Sequence, residues 1–423
     1  MIKKIITLTI YIFSGAFSLT INVPEDFLDI QDAIDFSQDG DTIFVSPGVY
    51  FENINFNGKS IMLSSNYIED NDSLLIGVTI IDAGNEGSVV TFNSGENNNA
   101  ILQGFTLQNG NGNDEDPDNN GSFYTYGGGI YCENSDPLIK DCIIQNNTAN
   151  EGGGAGIFCY DSSPIFFGCT IKENETDDVG GGLYARDGSS PSFFDCIFMD
   201  NTAEFGGGCY LKSSSSPLME NVVFMQNNAN NSGGGIGLKD DANIEASNLT
   251  ISENLAEGLG GGLYINNADP TFSFALIVDN TASSGAGIYI RNNSEIDLTN
   301  ITLANNNAGL YGGGVYMRDN VTVNFTNSVL WNNGSNQIYF RSEGAEVELN
   351  VGYSIVENNQ NGVETNNNGD LNWLEGNLDS EPYFCSSSTG NYFVRENSPC
   401  LDGGLNGSLI GCLSAGCGPI NLG

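Results

Sequence analysis

GGGLYARDGSSPSFFDCIFMDNTAEFGGGCY, residues 180–210, contains one unit of the repeat that decides the fold of this chain. The glycine phrase that opens it occurs eight times in 423 residues, at starts that lie 25 to 27 residues apart. The copies are GGGIY at 127, GAGIF at 154, GGGLY at 180, GGGCY at 206, GGGIG at 233, GGGLY at 260, GAGIY at 285 and GGGVY at 312. A fixed period of this length is typical of proteins that stack one small unit on the next.

Each unit also has a second signature, an apolar residue followed three positions later by asparagine, as in FMDN at 198. Keeping this offset from unit to unit aligns the asparagines in one column. At about 4.8 Å per coil their side-chain amides can hydrogen-bond to one another. The predicted ladder consists of Asn147, Asn174, Asn201, Asn227, Asn254, Asn280, Asn306, Asn333 and Asn358.

The segments between these signatures are short, alternate in polarity and end at Gly or Asn, and none keeps a 3.6-residue helical period. One coil of about 26 residues with about three strands fits this pattern. Stacked in parallel, such coils pair every strand with its neighbours and bury one continuous core. The sequence therefore predicts an all-β solenoid, a parallel β-helix.

The two ends of the chain depart from the repeat. Residues 1–18 combine Lys3 and Lys4, an apolar run and a small-x-small step, which predicts a cleaved signal peptide and an exported protein, secreted or at the cell surface. We expect the N-terminal cap and first coils over 19–110, an acidic loop insertion over 111–126, regular repeats over 127–360 and a loop-rich cap over 361–423. Within 25–36 the apolar residues Phe27, Ile30, Ala33 and Ile34 share one helical face, which predicts a capping helix.

The charge of the chain excludes several kinds of partner. It has 12 Lys and Arg against 53 Asp and Glu, a formal net charge of −41, and no histidine. Nucleic acids and anionic membranes bind proteins through basic residues, so neither is expected as a partner, and no apolar stretch predicts insertion into a membrane. Without histidine the chain lacks the commonest general base and the commonest transition-metal ligand.

Ten cysteines fall into two groups. Cys142, Cys169 and Cys196 share one inward column and Cys132 and Cys159 share another. Bridges between adjacent coils are geometrically feasible there, but we favour small core side chains. Outside the repeat, an even set suggests two disulfides in the C-terminal cap. That set is Cys385, Cys400, Cys412 and Cys417.

One short stretch in the insertion is a weak candidate for a metal site. Asp114, Asp116 and Asp118 have the spacing that opens a calcium-binding loop. However, Asn119 stands where the loop needs glycine, and Thr125 stands where it needs the closing glutamate. A solvated loop without metal is the favoured interpretation. No cofactor is expected, and Ca²⁺ is kept as the alternative.

The opening IQDAIDFSQDGDTIFVSPGVYFENINFNGKSIML, residues 30–63, resembles the start of many pectin-lyase-like right-handed β-helix proteins. The GGGLY and FMDN phrases are similar to the repeats of polymorphic outer membrane proteins, which are adhesin-type autotransporters. The two resemblances cover residues 25–360 and imply a right-handed solenoid. They imply no particular activity, because the superfamily contains lyases, hydrolases and non-catalytic surface proteins.

A possible binding surface follows the glycine phrase. In GGGLYARD the second and fourth residues after the glycines are predicted to point outward, because side chains alternate along a strand. These columns form a stripe of tyrosines beside basic residues: Tyr184, Tyr210, Tyr264, Tyr289, Tyr316 and Tyr339 with Arg186, Lys212, Lys239, Arg291, Arg318 and Arg341. Tyrosine can stack on sugar rings while the cations bind uronate or sulfate. The alternative is structural, since stacked tyrosines stabilise a sheet and Asp187, Asp240 and Asp319 can neutralise the cations.

Three functions are compatible with this pattern. The favoured hypothesis is a non-catalytic, adhesin-like protein that binds extracellular polysaccharide or a cell-surface glycan or protein. The alternative, implied by the resemblance, is a calcium-assisted polysaccharide lyase of the pectate type that uses Arg186, Lys212, Lys239, Arg291 or Arg318 as base. The third is a passive structural solenoid. No catalytic residue is assigned, because a uniform ladder offers every coil the same environment, whereas a catalytic base needs a perturbed one.

Overall fold

The computed structural model describes residues 18–67, 73–117 and 121–419. They form a right-handed parallel β-helix of about 11 turns with about 27 residues per turn. The predicted fold class is therefore confirmed, with a period close to the predicted 26. Residues 1–17 of the predicted signal peptide lie outside the described part. No helix within that part is long and apolar enough to cross a membrane.

Three long parallel sheets and a shorter fourth run along the solenoid. We number them 1 to 4 in the order in which one coil passes through them; the long sheets are 1, 2 and 4, and the short one is sheet 3. Sheet 1 has 14 strands: Thr20–Val23, Thr42–Val45, Met62–Ser65, Ile101–Gln103, Leu138–Lys140, Ile165–Phe167, Ser192–Phe194, Leu218–Glu220, Glu245–Ser247, Thr271–Ser273, Ser294–Thr299, Val321–Thr326, Val347–Gly352 and Gly369–Trp373. Sheet 2 has 12 strands: Gly48–Phe51, Thr79–Asp82, Thr106–Gln108, Ile143–Gln145, Thr170–Lys172, Ile197–Met199, Val223–Met225, Thr250–Ser252, Leu276–Val278, Thr302–Ala304, Val329–Trp331 and Ile355–Val356. Sheet 4, which contains the strands after the glycine phrases, also has 12: Ile54–Asn55, Val90–Phe92, Ile130–Glu133, Ile157–Tyr160, Leu183–Arg186, Cys209–Lys212, Ile236–Lys239, Leu263–Asn266, Ile288–Arg291, Val315–Arg318, Ile338–Phe340 and Val363–Glu364.

The central coils contain a fourth short strand, where the sequence had suggested three. These strands pair in parallel as sheet 3, which lies between sheets 2 and 4 along the chain. Sheet 3 has seven strands: Thr148–Ala149, Glu175–Thr176, Thr202–Phe205, Asn228–Ser232, Leu255–Ala256, Thr281–Ser284 and Asn307–Tyr311. The chain turns from sheet 3 into sheet 4 at the glycines. Gly180 has φ of +68°, and a Cβ there would lie 2.3 Å from the carbonyl oxygen of Leu183, so this turn requires glycine.

Inward side chains of sheets 1, 2 and 4 form one continuous hydrophobic core. Equivalent residues of adjacent coils stack directly. The ring centroids of Phe166 and Phe193 are 4.7 Å apart, as are those of Phe198 and Phe224, and each pair is within 8° of parallel. This spacing is the distance between neighbouring strands, so each aromatic residue packs against its equivalent in the next coil.

The predicted asparagine ladder is confirmed from Asn147 to Asn333. Each side-chain amide nitrogen donates to the amide oxygen of the next asparagine, at 2.9–3.0 Å throughout. Asn358 was predicted to be the ninth member, but it is exposed and has a left-handed backbone conformation. The ladder ends instead at Gln337, whose side-chain oxygen accepts a hydrogen bond from the Asn333 amide at 2.7 Å. Gln337 directly precedes the next strand of sheet 4, Ile338–Phe340.

The N-terminal end is covered by the predicted helix, Ile30–Phe36, which starts later than residue 25. Ile30, Ala33 and Ile34 are buried, and Phe27 packs against the core from the preceding turn. The Glu52 carboxylate accepts the backbone N–H groups of Ile30 and Gln31, each at 2.8 Å, which satisfies donors that a helix start leaves open.

The C-terminal segment packs against the side of the solenoid. Parallel pairing continues through Gly369–Trp373, beyond residue 360 where we expected the repeats to end. The remainder contains a small sheet, with the strands Phe384–Ser386, Asn391–Arg395 and Ala415–Cys417. The whole described chain has four short 3-10 helices, which are Ser73–Val78, Asn359–Gly362, Ser387–Thr389 and Leu405–Gly407. Apolar residues of the segment cover sheet 2, where Val394 and Ile410 pack on Val329 and Ile355.

The cysteines form one disulfide where two were predicted. Cys385 bonds to Cys417, whereas Cys400 and Cys412 are free. Cys400 is buried beside Val329 and Ile355, so it contributes to the apolar contact with sheet 2. The repeat cysteines are free and buried, in agreement with the favoured interpretation as core side chains.

Candidate functional site

The tyrosine column points away from the main core, as predicted, but its rings are not exposed. Tyr184, Tyr210 and Tyr264 are 4%, 7% and 9% exposed, and Tyr289 and Tyr316 are also buried. Only Tyr339 of the predicted set is half-buried. The prediction of an open tyrosine stripe is therefore wrong, because the rings lie in a second apolar layer outside sheet 4.

Sheet 3 and the residues that follow it provide the cover. Val179 and Phe205, which directly precede glycine phrases, pack on the tyrosines of the first cluster, and Leu259 does the same in the second. The rings also pack on one another: the Tyr289 and Tyr316 centroids are 4.8 Å apart and their planes differ by 6°. The rings thus have a structural role in joining sheet 3 to sheet 4.

The column is interrupted at Gly237 for a steric reason. A Cβ at this position would lie 2.7 Å from the Tyr210 ring, so the ring occupies the space of the missing side chain. Tyr210 therefore leans toward the next coil, and the layer is divided into a cluster that ends at Tyr210 and one that starts at Tyr264.

The basic column lies at the end of sheet 4, beside the tyrosine hydroxyls. Its members are half-buried, except for Arg186, which is 9% exposed. Several have acidic partners, as the structural alternative predicted: Arg186 pairs with Asp187, Lys239 with Asp240, and both Arg318 and Arg341 with Asp319. Burial lowers the pKa of Arg318, but hydrogen bonds with Tyr289 and Asp319 raise it above its usual value, so this guanidinium loses its proton less readily and is not available as a proton acceptor.

Two adjoining cavities lie between the end of sheet 4 and sheet 3, and we call them together the groove. The first, of about 530 Å³, is lined by Tyr124, Tyr126, Glu151, Gly152, Asp177, Asp178, Tyr184, Arg186 and Lys212. The second, of about 310 Å³, is lined by Asp178, Val179, Tyr184, Phe205, Tyr210, Lys212, Lys239, Tyr264 and Asn266. Because Asp178, Tyr184 and Lys212 line both, the groove is continuous across several coils. It contains half of the predicted stripe but not Arg291, Arg318 or Arg341.

The acidic insertion forms one end of the groove. Asn113–Glu115 and Tyr124–Tyr126 pair as an antiparallel hairpin, and this places Tyr124 and Tyr126 in the lining. Of the calcium candidates, Asp114 lies in the first strand, Asp116 accepts the backbone N–H of Gly121, and Asp118 lies outside the described residues. Within the described ranges there is no group of three or more Asp, Glu or Cys side chains arranged to hold a metal ion. Ca²⁺ at this loop stays the untested alternative to a solvated loop.

Asp178 has the most perturbed carboxyl group of the groove. Its pKa is raised to about 6, chiefly by burial and then by the neighbouring charges of Asp177 and Glu204, while the Lys212 charge opposes the shift. A carboxyl group with this pKa exchanges its proton near neutral pH, which an ordinary aspartate does not.

The carboxylates at the groove were not predicted from the sequence. Asp177 and Asp178 of the lining come from a turn that leads into a glycine phrase, whereas Glu204 lies beside them in the sheet 3 strand Thr202–Phe205. One signal was available: two residues before the glycines, Asp178 and Glu204 are acidic in adjacent coils. The same position elsewhere is held by Thr125, Gly152, Asn231, Gly258, Ser283 and Leu310.

Comparisons with known proteins agree with the fold. The family model described as "Right handed beta helix region" matches residues 106–244, 142–275 and 234–398. The crystal structure of pectate lyase Pel9A is similar over 95% of this chain and 98% of that chain, with 13% identity and a TM-score of 0.51. The A-module of the Azotobacter vinelandii mannuronan C-5 epimerase AlgE4 matches over 83% of this chain and 95% of that chain, with 15% identity and a TM-score of 0.41. No curated protein matches the sequence. The resemblance to polymorphic outer membrane proteins stays a prediction.

Proposed function

Because the chain belongs to the right-handed β-helix family, whose fold carries many functions, its function has to be argued from the groove, and we propose that the groove binds an anionic polysaccharide outside the cell. The bound chain lies along the solenoid axis, across successive coils. Tyrosine hydroxyls and basic side chains contact it. This keeps the predicted partner class and moves its binding surface from the open stripe to the groove.

The distribution of charge carries this proposal. The chain has only 12 basic residues, yet Arg186, Lys212 and Lys239 all line the groove, in three consecutive coils. Coils repeat at about 4.8 Å, so these cations form a row that follows a linear polymer. Charge-assisted hydrogen bonds to uronate carboxylates or sulfates are the strong contacts that such a row provides. Elsewhere the surface is strongly acidic and repels the same polymer.

The fold adds support of a general kind. Pectate lyase Pel9A, which shares the solenoid, is named for an anionic polysaccharide. Long parallel β-helices also offer what a linear polymer needs, since their equivalent side chains recur at a fixed spacing. Secretion is part of the proposal, because extracellular polysaccharides are reached only by exported proteins.

Binding of oligogalacturonate and alginate by titration calorimetry tests this function. We expect the double variant Lys212→Ala/Lys239→Ala to lose about 10-fold or more in affinity, because each lost charge-assisted hydrogen bond costs about 1.5–3 kcal/mol. Lys140→Ala is the matched control, since it removes the same charge from the outer face of sheet 1. Neutral dextran should not bind.

Equal losses in the control and the double variant would contradict the groove as the binding site. Absence of binding to both anionic polymers would leave the passive structural solenoid as the better account.

The polysaccharide lyase is a second candidate, favoured by one observation. Lys212 lines the groove beside carboxylates, and the described residues provide it with no ion pair within 4.0 Å. Arg186 and Arg318 are instead held in ion pairs with Asp187 and Asp319. Ultraviolet absorbance of unsaturated uronate products, lost in Lys212→Ala, would support elimination.

A further inference from the structure

Three functional groups meet where the two cavities of the groove join. Asp178, Tyr184 and Lys212 are the residues common to both linings. A polymer that follows the groove has to pass this point. A reacting bond placed here is flanked by a carboxyl group, a phenol and an ammonium group.

The tyrosine hydroxyls at this point lack protein partners. Tyr184 and Tyr210 are 4% and 7% exposed, and within the described chain neither hydroxyl has a hydrogen-bond partner. The rings are buried, but neither hydroxyl is among the buried unpartnered polar atoms of the described chain, so both are accessible from the groove. Since Tyr184 lines both cavities and Tyr210 lines the second, their hydroxyls are available to a molecule in the groove, such as a sugar.

The junction also differs from the other coils at a position that varies along the repeat. Acidic residues precede the glycines by two positions only at Asp178 and Glu204. Backbone N–H groups of Glu204 and Phe205 donate to the carbonyl oxygen of Asp178, at 2.9 and 3.1 Å, so this residue is held by the next coil. The backbone at Asp178 is thus anchored in this turn.

We infer that Asp178 is a catalytic acid and that the protein hydrolyses a glycosidic bond of the anionic polysaccharide in the groove. This inference rests on the proposed function and deepens it. Lys212 and Arg186 hold acidic groups of the substrate, and the hydroxyls of Tyr184 and Tyr210 bind its oxygens.

The reaction balances with water as the co-reactant. The carboxyl proton of Asp178 passes to the glycosidic oxygen as the bond from that oxygen to the anomeric carbon breaks, so the leaving sugar departs as an alcohol. Water adds to the anomeric carbon, and the proton that it loses passes to the Asp177 carboxylate. Asp177 is exposed, lines the first cavity and is positioned by the backbone N–H of Glu151 at 2.8 Å. Exchange with solvent returns one proton to Asp178.

The acid–base properties suit this role. A general acid is most effective when its pKa is near the working pH. Burial raises the pKa of Asp178 to about 6, so the protonated form predominates below pH 6 and declines above it. Abstraction of a carbon-bound proton, as elimination requires, needs a much stronger base than this carboxylate.

The test is the formation of new reducing ends from polygalacturonate and alginate, with unsaturated products followed by ultraviolet absorbance. We expect wild-type protein to form reducing ends without unsaturation, with kcat/KM falling as the pH rises through about 6. Asp178→Asn should lower kcat about 100-fold or more, since general acid catalysis contributes roughly 10²–10⁴. Asp195→Asn, an exposed aspartate in the turn between sheets 1 and 2, is the matched control and should keep wild-type rates. Calorimetric binding is measured in parallel, and Asp178→Asn should bind at least as tightly.

Binding without any cleavage of either polymer would overturn the catalytic inference and leave the proposed function intact. Unsaturated products, or an unchanged rate in Asp178→Asn, would also overturn it, the former in favour of the lyase. The wild-type pH profile provides a test that does not depend on the folding of a variant: activity that rises through pH 6 would contradict an acid role for Asp178. Absence of binding would show that the proposed function itself had failed.

Discussion

At the scale of single residues, the ladder asparagines are the most demanding side chains of the fold. Asn227 is fully buried, and its amide nitrogen donates to the backbone oxygen of Phe198 and to Asn254, both at 3.0 Å. Its amide oxygen accepts from the side chain and the backbone of Asn201. Every polar group of the side chain is thus satisfied inside the solenoid, which explains why the same position holds asparagine in each coil from Asn147 to Asn333.

Replacing Asn227 by Ala should be strongly destabilising. Its partners would be left buried without hydrogen bonds, and each unsatisfied group costs about 1–3 kcal/mol. We therefore expect a lower urea midpoint with a loss of about 2 kcal/mol or more. Asn230→Ala, an exposed asparagine in the same turn of the solenoid, is the control. Equal midpoints for the two variants would show that the ladder contributes little to stability.

At the scale of elements, the C-terminal segment acts as a side brace on sheet 2. The Tyr392 hydroxyl donates to the Asp279 carboxylate at 2.8 Å and accepts from the Asn305 amide at 2.6 Å. The Cys412 backbone N–H donates to the Thr302 hydroxyl at 3.2 Å. These contacts join the C-terminal segment to coils that precede it by 87 to 113 residues. They leave the groove open, because sheet 2 and the groove are on different sides of the coil.

This arrangement predicts the number of free thiols. Denatured without reductant and treated with an alkylating reagent, the chain should gain eight labels out of ten cysteines, as measured by intact mass. After reduction it should gain ten. Burial raises the pKa of Cys400 and of Cys412 to about 11, so both should react slowly in the native protein. Six labels in the first experiment would indicate a second disulfide and contradict the structure.

At the scale of the whole molecule, the charge opposes folding and attracts cationic rather than anionic partners. The formal net charge is −41, and self-repulsion of this kind destabilises a compact state. The row of cations in the groove is a local exception. Salt should therefore affect stability and binding in opposite directions.

Raising NaCl from about 0.1 M to about 1 M shortens the screening length from about 10 Å to about 3 Å. We expect the melting temperature of the protein to rise, because repulsion between exposed carboxylates is screened. Affinity for oligogalacturonate should fall over the same range, because its contacts with Lys212 and Lys239 are screened as well. A melting temperature that falls with salt would contradict dominant self-repulsion, and salt-independent affinity would contradict charged contacts in the groove.

The solenoid, its period, the ladder from Asn147 to Asn333 and the capping helix could all be predicted from the amino-acid sequence. These features depend on local patterns: strand alternation, glycine turns, one repeated asparagine and the apolar face of a helix. A parallel stack repeats its local geometry in every coil, so a rule that holds for one coil predicts the others.

Which outward side chains are covered, and which of them meet at a site, depends on tertiary contacts that the sequence does not reveal. Tyr184 and Tyr264 are outward by alternation, yet the short strands of sheet 3 fold over them, and no local pattern distinguishes an outward ring in water from one under a neighbouring segment. Asp178 and Lys212 are far apart in sequence and come together because stacking places successive coils one strand spacing apart. The same limit applies to Asn358 and to the single disulfide, since both depend on where the last coil and the C-terminal segment come to rest.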